Sequence, residues 1–293
     1  MKRPKKQLFF CLKVTLRGVF CVLLGVLIIS AAFFEPVMTA GGDIENGLPV
    51  LMYHSVLRDR KKAGQYVITA DELEEDFKWL SDNGCVSLTA SEAVEILSKG
   101  GTLPEKSVMI TFDDGCLNVL TYALPLLEKY DLKAVVAVVG SYSEQFSLKP
   151  DPNPAYAYLS WDDINKLKDS GRVEIANHSY ALHSEKGRLG ASRIKGETDA
   201  EYSDLLREDI GRTQKLLKDN CSLTPTTFVY PFGAIGEGSL GILSEMGFTA
   251  ALTCSEKINP PKFGDEGLLV LGRFNRPSGV STWKMMRKLA LTG

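Results

Sequence analysis

The chain has 293 residues, of which 44% are hydrophobic and 24% are charged. This composition is typical of a globular protein and excludes an intrinsically disordered chain, collagen and a coiled coil. The formal net charge is −2, but residues 1–40 carry six basic side chains and one acid, which leaves residues 41–293 with 28 basic and 35 acidic side chains. An acidic body gives no support to binding of a nucleic acid, which needs a basic face.

The N-terminal segment is predicted to anchor the chain in a membrane. Residues 18–34 contain no charged side chain, and these 17 residues just reach the length of a membrane-spanning helix. All six basic residues lie in 1–17, so the positive-inside rule places this tail in the cytoplasm. We therefore expect a single-pass membrane protein with residues 35–47 as a linker and residues 48–293 as an extracytoplasmic domain. A cleaved signal peptide ending near Ala40 is the alternative, and it would give a secreted protein.

Residues 48–293 are predicted to form one α/β domain. In chain order, apolar runs and amphipathic stretches predict strands over 49–56, 108–112, 134–140, 173–177, 227–230, 250–253 and 268–271, and helices over 70–83, 160–170 and 200–219. This alternation favours a parallel sheet with crossover helices. A body of about 245 residues suits a (β/α) barrel, complete or incomplete, better than an open Rossmann sheet. The polar segment 183–200 is expected to be a surface loop.

Several common binding motifs are missing from the sequence. No GxGxxG or GxxxxGKS/T motif is present, so a nucleotide partner is not expected. The domain has no CxxC pair, which excludes a zinc knuckle and a thioredoxin motif. Its four cysteines are compatible with disulfides in an exported protein, but their spacing predicts no particular pairing: Cys85, Cys116, Cys221 and Cys254.

The first candidate site follows the predicted strand at 108–112. Asp113 and Asp114 come directly after it and are followed by Gly115. Successive strand residues point to opposite faces, so two adjacent acids would normally diverge. Gly115 permits a positive φ that breaks the strand, which would let both carboxylates face one pocket. A solvated turn with a helix N-cap is the alternative interpretation.

The second candidate site follows the predicted strand at 173–177. It contains two of the three histidines in the chain, His178 and His183. A separation of five residues places them on different faces of a regular helix or strand. Their rings converge only if the backbone leaves regular structure at the strand end. We interpret the pair as metal ligands, with structural or merely exposed histidines as the alternative.

Together, Asp114, His178 and His183 form a set of two histidines and one carboxylate. Such a set leaves coordination positions open for water and substrate, as a catalytic metal requires. A divalent ion such as Zn²⁺ activates water and polarises a carbonyl group. The neighbouring Asp113 is placed to take a proton as general base. These residues predict hydrolysis of an amide or an ester.

The third candidate site is the turn Tyr230-Pro231-Phe232-Gly233. An aromatic–proline–aromatic–glycine turn offers a rigid wall for a sugar and exposed backbone N–H groups for an oxyanion. A purely hydrophobic turn is the alternative. Trp161, at the start of a predicted helix, is a further candidate sugar platform; a hydrophobic contact that fixes the helix start is its alternative role.

These motifs resemble a known family. Thr-Phe-Asp-Asp-Gly at 111–115, His-Ser-Tyr-Ala-Leu-His at 178–183 and Tyr-Pro-Phe-Gly at 230–233 occur in the order typical of polysaccharide deacetylases (NodB homology, carbohydrate esterase family 4). The resemblance covers residues 48 to 275. It implies a distorted (β/α) barrel that removes acetyl groups from N-acetylated sugars with Zn²⁺ or a similar divalent ion, Co²⁺ and Ni²⁺ included.

The resemblance also implies residue roles. It assigns Asp113 as the base, Asp114, His178 and His183 as the metal ligands, and the backbone N–H of Phe232 as the oxyanion donor. The histidines are five residues apart instead of the more common four, which is similar to the branch that acts on poly-N-acetylglucosamine.

Two expected residues of the family pattern are missing. Val229 stands where an arginine usually precedes the Pro-aromatic-Gly turn, and no histidine follows His183. We interpret Arg273 as replacing the arginine beside the base. We interpret His54, which follows the first strand on the same rim, as the proton donor or a substrate ligand. The alternatives are an arginine paired with a surface acid and a histidine that caps its strand.

We therefore predict a membrane-anchored, metal-dependent hydrolase of amide bonds that acts on an acetylated amino-sugar polymer, with peptidoglycan or poly-N-acetylglucosamine as substrate. A glycosidase using Asp113 and Asp114 is disfavoured, because its two carboxylates must be about 5 Å or more apart across the bond. A non-haem iron oxygenase is disfavoured because its usual His-x-Asp/Glu motif is missing. The remaining alternative is a catalytically inactive carbohydrate-binding protein with the same fold.

Overall fold

The computed structural model describes residues 47–292. The predicted basic tail (1–17), membrane segment (18–34) and linker (35–47, apart from its last residue) lie outside the described residues. Within residues 47–292, no helix combines the length and the apolar character that crossing a bilayer requires.

The described residues form a curved parallel sheet with connecting helices packed against it. The strands are β1 (Val50–Tyr53), β2 (Ser55–Leu57), β3 (Val67–Thr69), β4 (Val86–Ser87), β5 (Ser107–Phe112), β6 (Ala134–Val138), β7 (Val173–Asn177), β8 (Thr227–Val229), β9 (Ala250–Leu252), β10 (Leu269–Leu271) and β11 (Phe274–Asn275). The main sheet has the order β10-β9-β8-β7-β6-β5-β1-β11, with β4 added beside β5, and β2 pairs with β3 in a small second sheet. Neighbouring strands run parallel in both sheets, as the alternating pattern predicted.

The helices connect successive strands, and most begin with a side-chain cap. They are α1 (Ala70–Asp82), α2 (Ala90–Ser98), α3 (Leu124–Lys129), α4 (Gly140–Leu148), α5 (Trp161–Asp169), α6 (Asp199–Cys221), α7 (Ser239–Glu245) and α8 (Thr282–Lys288). Four of them start with a capping box, in which a hydroxyl and an acid three residues later satisfy each other's backbone N–H groups. The pairs are Thr69/Glu72, Thr89/Glu92, Ser160/Asp163 and Thr198/Glu201.

One stretch of chain borders both edges of the main sheet. β10 pairs with β9, while β11, only two residues later, pairs with β1. The sheet therefore curves back on itself as a barrel that is interrupted at Gly272 and Arg273. The side chain of Asn259 spans this interruption. It accepts from the N–H of Gly272 (2.7 Å) and donates to the carbonyl oxygens of Gly272 (2.8 Å) and Leu48 (2.9 Å).

Most of the predicted elements are present, but two predicted strands differ from the structure. The predicted strand 134–140 ends at Val138, and Gly140 begins α4. The predicted strand 49–56 is two strands, because the chain leaves the main sheet at His54 and then pairs with β3. The segment 183–198 forms neither helix nor strand, as predicted. β5 and β6 are buried along their whole length, which is typical of parallel strands covered on both faces. Because all strands of the main sheet run parallel, their carboxyl ends share one rim.

Candidate metal centre

The two acids of the candidate site, Asp113 and Asp114, lie directly after the end of β5. The N–H of Asp113 still donates to the carbonyl oxygen of Tyr53 on β1 (3.0 Å), so this residue ends the ladder. Asp114 and Gly115 then both adopt left-handed backbone conformations, with φ of 70° and 69°. A Cβ on residue 115 would approach Cγ1 of Val138 to 3.2 Å, so the turn passes close to β6. This turn breaks the alternation of the strand, which is the geometry that the Asp-Asp-Gly motif predicted.

Three candidate ligands converge beyond the rim. Oδ1 of Asp114 lies 3.1 Å from Nε2 of His183 and 3.6 Å from Nε2 of His178. One ligand atom from each of the three residues lies within 4.8 Å of the others. The sequence-predicted set of two histidines and one carboxylate is therefore brought together in space.

The orientation of His178 leaves one ring nitrogen free for a metal. Its Nδ1 lies 2.7 Å from the carbonyl oxygen of Val229, which can only accept, so Nδ1 carries the proton and donates it. In this tautomer of the neutral ring, Nε2, which faces Asp114, is the nitrogen that can bind a metal. Fixing the tautomer through the far nitrogen is the usual arrangement of a metal-bound histidine.

The residues present fit a divalent cation. Oδ1 of Asp114 is buried and has no hydrogen-bond partner within the described part of the chain, although two imidazole nitrogens lie close to it. A buried carboxylate oxygen without a donor is costly unless a cation satisfies it. Two imidazoles and one carboxylate are ligands that suit Zn²⁺ and similar ions.

The base candidate is held by a buried arginine. Nη1 and Nη2 of Arg273 donate to Oδ1 and Oδ2 of Asp113 at 2.6 and 2.8 Å, and Nε donates to the carbonyl oxygen of Thr253 at 2.9 Å. Arg273 has no exposed side-chain surface, and Asp113 has 4%. Arg273 enters the site at the interruption of the barrel, where the chain changes from β10 to β11. The fork-to-fork contact fixes the orientation of the carboxylate.

The electrostatics keep both acids ionised. Burial raises the pKa of Asp113, but the charge and hydrogen bonds of Arg273 outweigh burial and lower the pKa below its ordinary value. Burial also raises the pKa of Asp114, and there His178 and His183 outweigh it and hold the pKa well below its usual range. Both side chains are therefore carboxylates at neutral pH, as a base and a ligand must be.

His54 lies beside the candidate base. Its Nε2 is 4.0 Å from Oδ2 of Asp113, and its ring centroid is 4.8 Å from that of Tyr66. Its Nδ1 is buried, with no hydrogen-bond partner among residues 47–292. Burial lowers the pKa of His54, and the nearby carboxylate of Asp113 offsets only part of this effect. The ring is therefore neutral at neutral pH.

The Tyr-Pro-Phe-Gly turn presents one aromatic ring to the site. Phe232 has a left-handed φ of 57°, its side chain is 39% exposed, and its ring centroid lies 4.7 Å from that of His183. Tyr230 and Pro231 are buried, and the Tyr230 hydroxyl pairs with Ser239 at 2.8 Å. These two residues shape the turn from inside and offer no surface to a sugar, so Phe232 has the only exposed ring of this turn.

Gly233 and Trp161 do not offer a surface to a substrate. A Cβ at Gly233 would lie 2.6 Å from the backbone nitrogen of Cys254, so this position needs a glycine for close packing. Trp161 is only 9% exposed and packs in the core with Ile164 and Leu167. The sugar-platform interpretation of Trp161 is therefore corrected, because its ring is covered by the core at the start of α5.

Two tyrosines beside the site were not found from the sequence. The ring centroid of Tyr142 on α4 lies 6.1 Å from that of His183, and Tyr158 packs on Tyr142 at 4.4 Å. Burial, followed by the charge of Asp114, raises the pKa of Tyr142. Neither residue belongs to a motif, so only the fold brings them to the rim.

The four cysteines of the described residues are free thiols.

The chain is similar in sequence to known proteins. The family described as polysaccharide deacetylase matches residues 100–251. A poly-β-1,6-N-acetyl-D-glucosamine N-deacetylase of Escherichia coli (strain K12) is 26% identical over 227 residues, which are 71% of this chain and 34% of the relative. The chain thus spans about a third of the length of that relative.

Two solved structures are similar over most of the chain. A de-N-acetylase from Aggregatibacter actinomycetemcomitans is 28% identical, with a TM-score of 0.69 over 82% of this chain and 99% of that chain. IcaB from Ammonifex degensii is 27% identical, with a TM-score of 0.68 over 83% of this chain and 97% of that chain. The resemblance predicted from the three motifs is confirmed, and the relatives are hydrolases of amide bonds. The chain belongs to the polysaccharide deacetylase family.

Proposed function

We propose that the chain is a metal-dependent N-deacetylase that hydrolyses the acetamido groups of an N-acetylated amino-sugar polymer outside the cytoplasm. The observation that carries the proposal is the convergence of Asp114, His178 and His183 beside the ion pair of Asp113 and Arg273. The first three residues would hold the ion, with Zn²⁺ favoured and Co²⁺ or Ni²⁺ as substitutes. When bound, such an ion polarises the acetyl carbonyl and lowers the pKa of water.

Asp113 is the proposed general base. It takes the proton of the water that attacks the acetyl carbonyl carbon, and the backbone N–H of Phe232 stabilises the resulting oxyanion. Two features support these roles. Arg273 keeps Asp113 ionised and aligned, and the packing of the Phe232 ring on His183 places this turn beside the ligands.

His54 is proposed to give a proton to the nitrogen as the carbon–nitrogen bond breaks. Its ring is neutral before the reaction, so it must gain a proton during the cycle, and Asp113 at 4.0 Å is the nearest acid to supply it. One proton leaves the attacking water and one reaches the amine, so acetate and a free amino sugar result. A role of His54 as a substrate ligand is the other assignment that its position supports.

The proposed substrate is poly-β-1,6-N-acetylglucosamine, with peptidoglycan as the second candidate. The support comes from the E. coli relative, which is named for that polymer, and from the spacing of five residues between the histidines. The half-exposed Phe232 ring offers a face on which a sugar can stack. Removal of acetyl groups exposes amines, so the product polymer becomes cationic.

The proposed location is the outer side of the cell membrane. This part rests on the sequence, where an uncharged segment at 18–34 follows a basic tail at 1–17. The membrane would then be the second partner of the chain, besides the polysaccharide.

Acetate release tests the proposal. The full chain, loaded with Zn²⁺, is incubated with oligomers of β-1,6-N-acetylglucosamine and, separately, with peptidoglycan fragments, and acetate is assayed. We expect turnover on the first substrate and a loss of about 10²–10⁴-fold in Asp113→Asn, because the base is removed. Zinc bound with no acetate released from either substrate would favour the inactive carbohydrate-binding protein and contradict the enzyme.

A further inference from the structure

The loop that joins the two histidine ligands is fixed although it forms no helix or strand. Its first amide, the N–H of Ser179, donates to Oδ1 of Asn177 at 2.9 Å. The carbonyl oxygens of Ser179 and Tyr180 accept from the backbone N–H groups of Gly140 (2.9 Å) and Ser141 (3.2 Å) at the start of α4. These two carbonyl groups of the loop are therefore satisfied by one neighbouring helix.

The next two amides of the loop bind one carboxylate on the other neighbouring helix. Oδ1 of Asp209, on α6, accepts from the N–H of Tyr180 at 2.7 Å, and Oδ2 accepts from the N–H of Ala181 at 2.8 Å. Hydrogen bonds to an ionised acceptor are shorter and stronger than neutral ones. Because each oxygen accepts from the N–H of a different residue, the carboxylate fixes both the position and the orientation of this part of the backbone.

The ring of Tyr180 prevents this loop from turning around the carboxylate. The guanidinium carbon of Arg212, on α6, lies 3.6 Å from the ring centroid. The Tyr180 hydroxyl donates to Oε2 of Glu144 on α4 at 2.6 Å, and Nη2 of Arg212 donates to the same oxygen at 3.2 Å. The loop is thus attached to α4 and α6 through both its backbone and its side chain.

We infer that Asp209 is a positioning residue that holds the loop between His178 and His183 in the form required for both to bind one cation. The inference rests on the proposed function, since it takes the two histidines as ligands. Histidines five residues apart do not share a face in regular structure, so their convergence depends on the path of the intervening backbone. A carboxylate that fixes this backbone before the metal arrives lowers the cost of binding, as groups supporting a ligand do in other metal sites.

Zinc affinity tests this inference. The full chain and its variants are titrated with Zn²⁺ against a competing chelator, and the thermal stability of each metal-free protein is measured in parallel. Asp209→Asn offers one acceptor oxygen and turns an amide donor toward the other N–H, so we expect zinc binding to weaken about tenfold or more. Asp209→Glu keeps two acceptors and should recover part of the affinity.

The matched control is Asp204→Asn, which changes an acid on the same helix. Asp204 is exposed and makes no hydrogen bond or ion pair with the described residues, so its variant should bind zinc as the parent does. If Asp209→Asn loses thermal stability yet binds zinc within twofold of the parent, Asp209 has a structural role only and the inference is wrong.

A measurement on the unmodified chain covers the case in which Asp209→Asn does not fold. The inference predicts that the amides of Tyr180 and Ala181 exchange slowly with solvent deuterium even without metal. Exchange at unprotected rates would overturn it. Failure of the parent itself to bind zinc would instead contradict the proposed function, so the two outcomes are distinguishable.

Discussion

Three residues beside the strand ends have backbone conformations that side chains normally avoid. Asp114, Ser179 and Phe232 have φ values of 70°, 69° and 57°. Such conformations cost about 1–3 kcal/mol each and persist only where the surroundings enforce them. Each of the three lies in one of the motifs that first indicated a site. Strain at these positions turns the chain out of the sheet and directs its side chains or peptide groups into the cleft.

The buried pair of Asp113 and Arg273 predicts a large loss of stability when the arginine is removed. Arg273→Met leaves a carboxylate buried without its counter-charge, so the free energy of unfolding should fall by about 3–5 kcal/mol. Urea denaturation measures this change. Arg60→Met, which removes an exposed guanidinium far from the site in sequence, is the control and should change the value by less than about 0.5 kcal/mol.

The double variant separates the charge from the packing. Asp113→Asn combined with Arg273→Met removes both charges, so its loss should be clearly smaller than the sum of the two single losses. Additive losses would show that the two side chains are not coupled.

At the scale of elements, an acid at the start of α1 also holds the C-terminal segment. Glu72 accepts from the N–H of Thr69 (2.9 Å) in the capping box, and it accepts from the N–H of Gly279 (2.7 Å) and the hydroxyl of Ser278 (2.9 Å). Burial raises the pKa of Glu72, but these hydrogen bonds outweigh it and lower the pKa from 4.5 to about 2. The carboxylate of Glu72 thereby joins α1 to the segment that precedes α8.

This cap predicts a pH-dependent contribution to stability. The pKa of Glu72 is lower in the folded chain than in the unfolded chain. Its contribution to the free energy of unfolding is therefore fully present above pH 4.5 and is lost as the pH falls toward 2. Glu72→Gln should therefore lower the free energy of unfolding by about 1 kcal/mol at pH 7, and this difference should shrink in acid. Denaturation series between pH 7 and pH 3 check the trend.

Glu75→Gln is the matched control for the cap. Glu75 is an exposed acid on the same helix, so its variant should match the parent at every pH. A difference between Glu72→Gln and the parent that stays constant down to pH 3 would contradict the ionic origin of the effect.

Local signals predicted some elements, one local signal was overlooked, and one strand boundary depends on a tertiary contact. The Ser160/Asp163 capping box correctly placed the start of α5. Thr89 and Glu92 carry the same sequence signal, and in the structure they form both hydrogen bonds of a capping box at the start of α2. This helix was not predicted from the sequence. The strand predicted over 49–56 is broken at His54 because β2 finds its partner in β3, and no local pattern shows this pairing.

At the scale of the whole molecule, the site is assembled from residues that are distant in the chain. The candidate ligands could be predicted because each follows an apolar strand, and because histidines are rare elsewhere in the sequence. The contact between Arg273 and Asp113 spans 160 positions, and it was inferred only because the family pattern lacked an arginine. Tyr142 and Asp209 carry no such signal, so only the fold reveals that they border the ligands.

Removal of the metal is expected to weaken the fold. A ligand that binds only the folded state stabilises it by about 2.7 kcal/mol at 100 times its dissociation constant, which corresponds to about 5–10 °C in melting temperature for a domain of this size. Saturating zinc should raise the melting temperature of the chelator-treated chain by this amount. His183→Ala should abolish the shift, whereas His54→Ala should retain it because His54 is not a ligand. A shift that survives in His183→Ala would place the ion elsewhere.

The late position of Arg273 has a consequence for biosynthesis. All three candidate ligands and Asp113 are synthesised well before Arg273, since His183 precedes Arg273 by 90 positions. A shorter chain that ends between these two residues would contain all of the candidate ligands but would lack the counter-charge of Asp113. The segment between β10 and β11 must therefore be synthesised before the buried carboxylate can be neutralised.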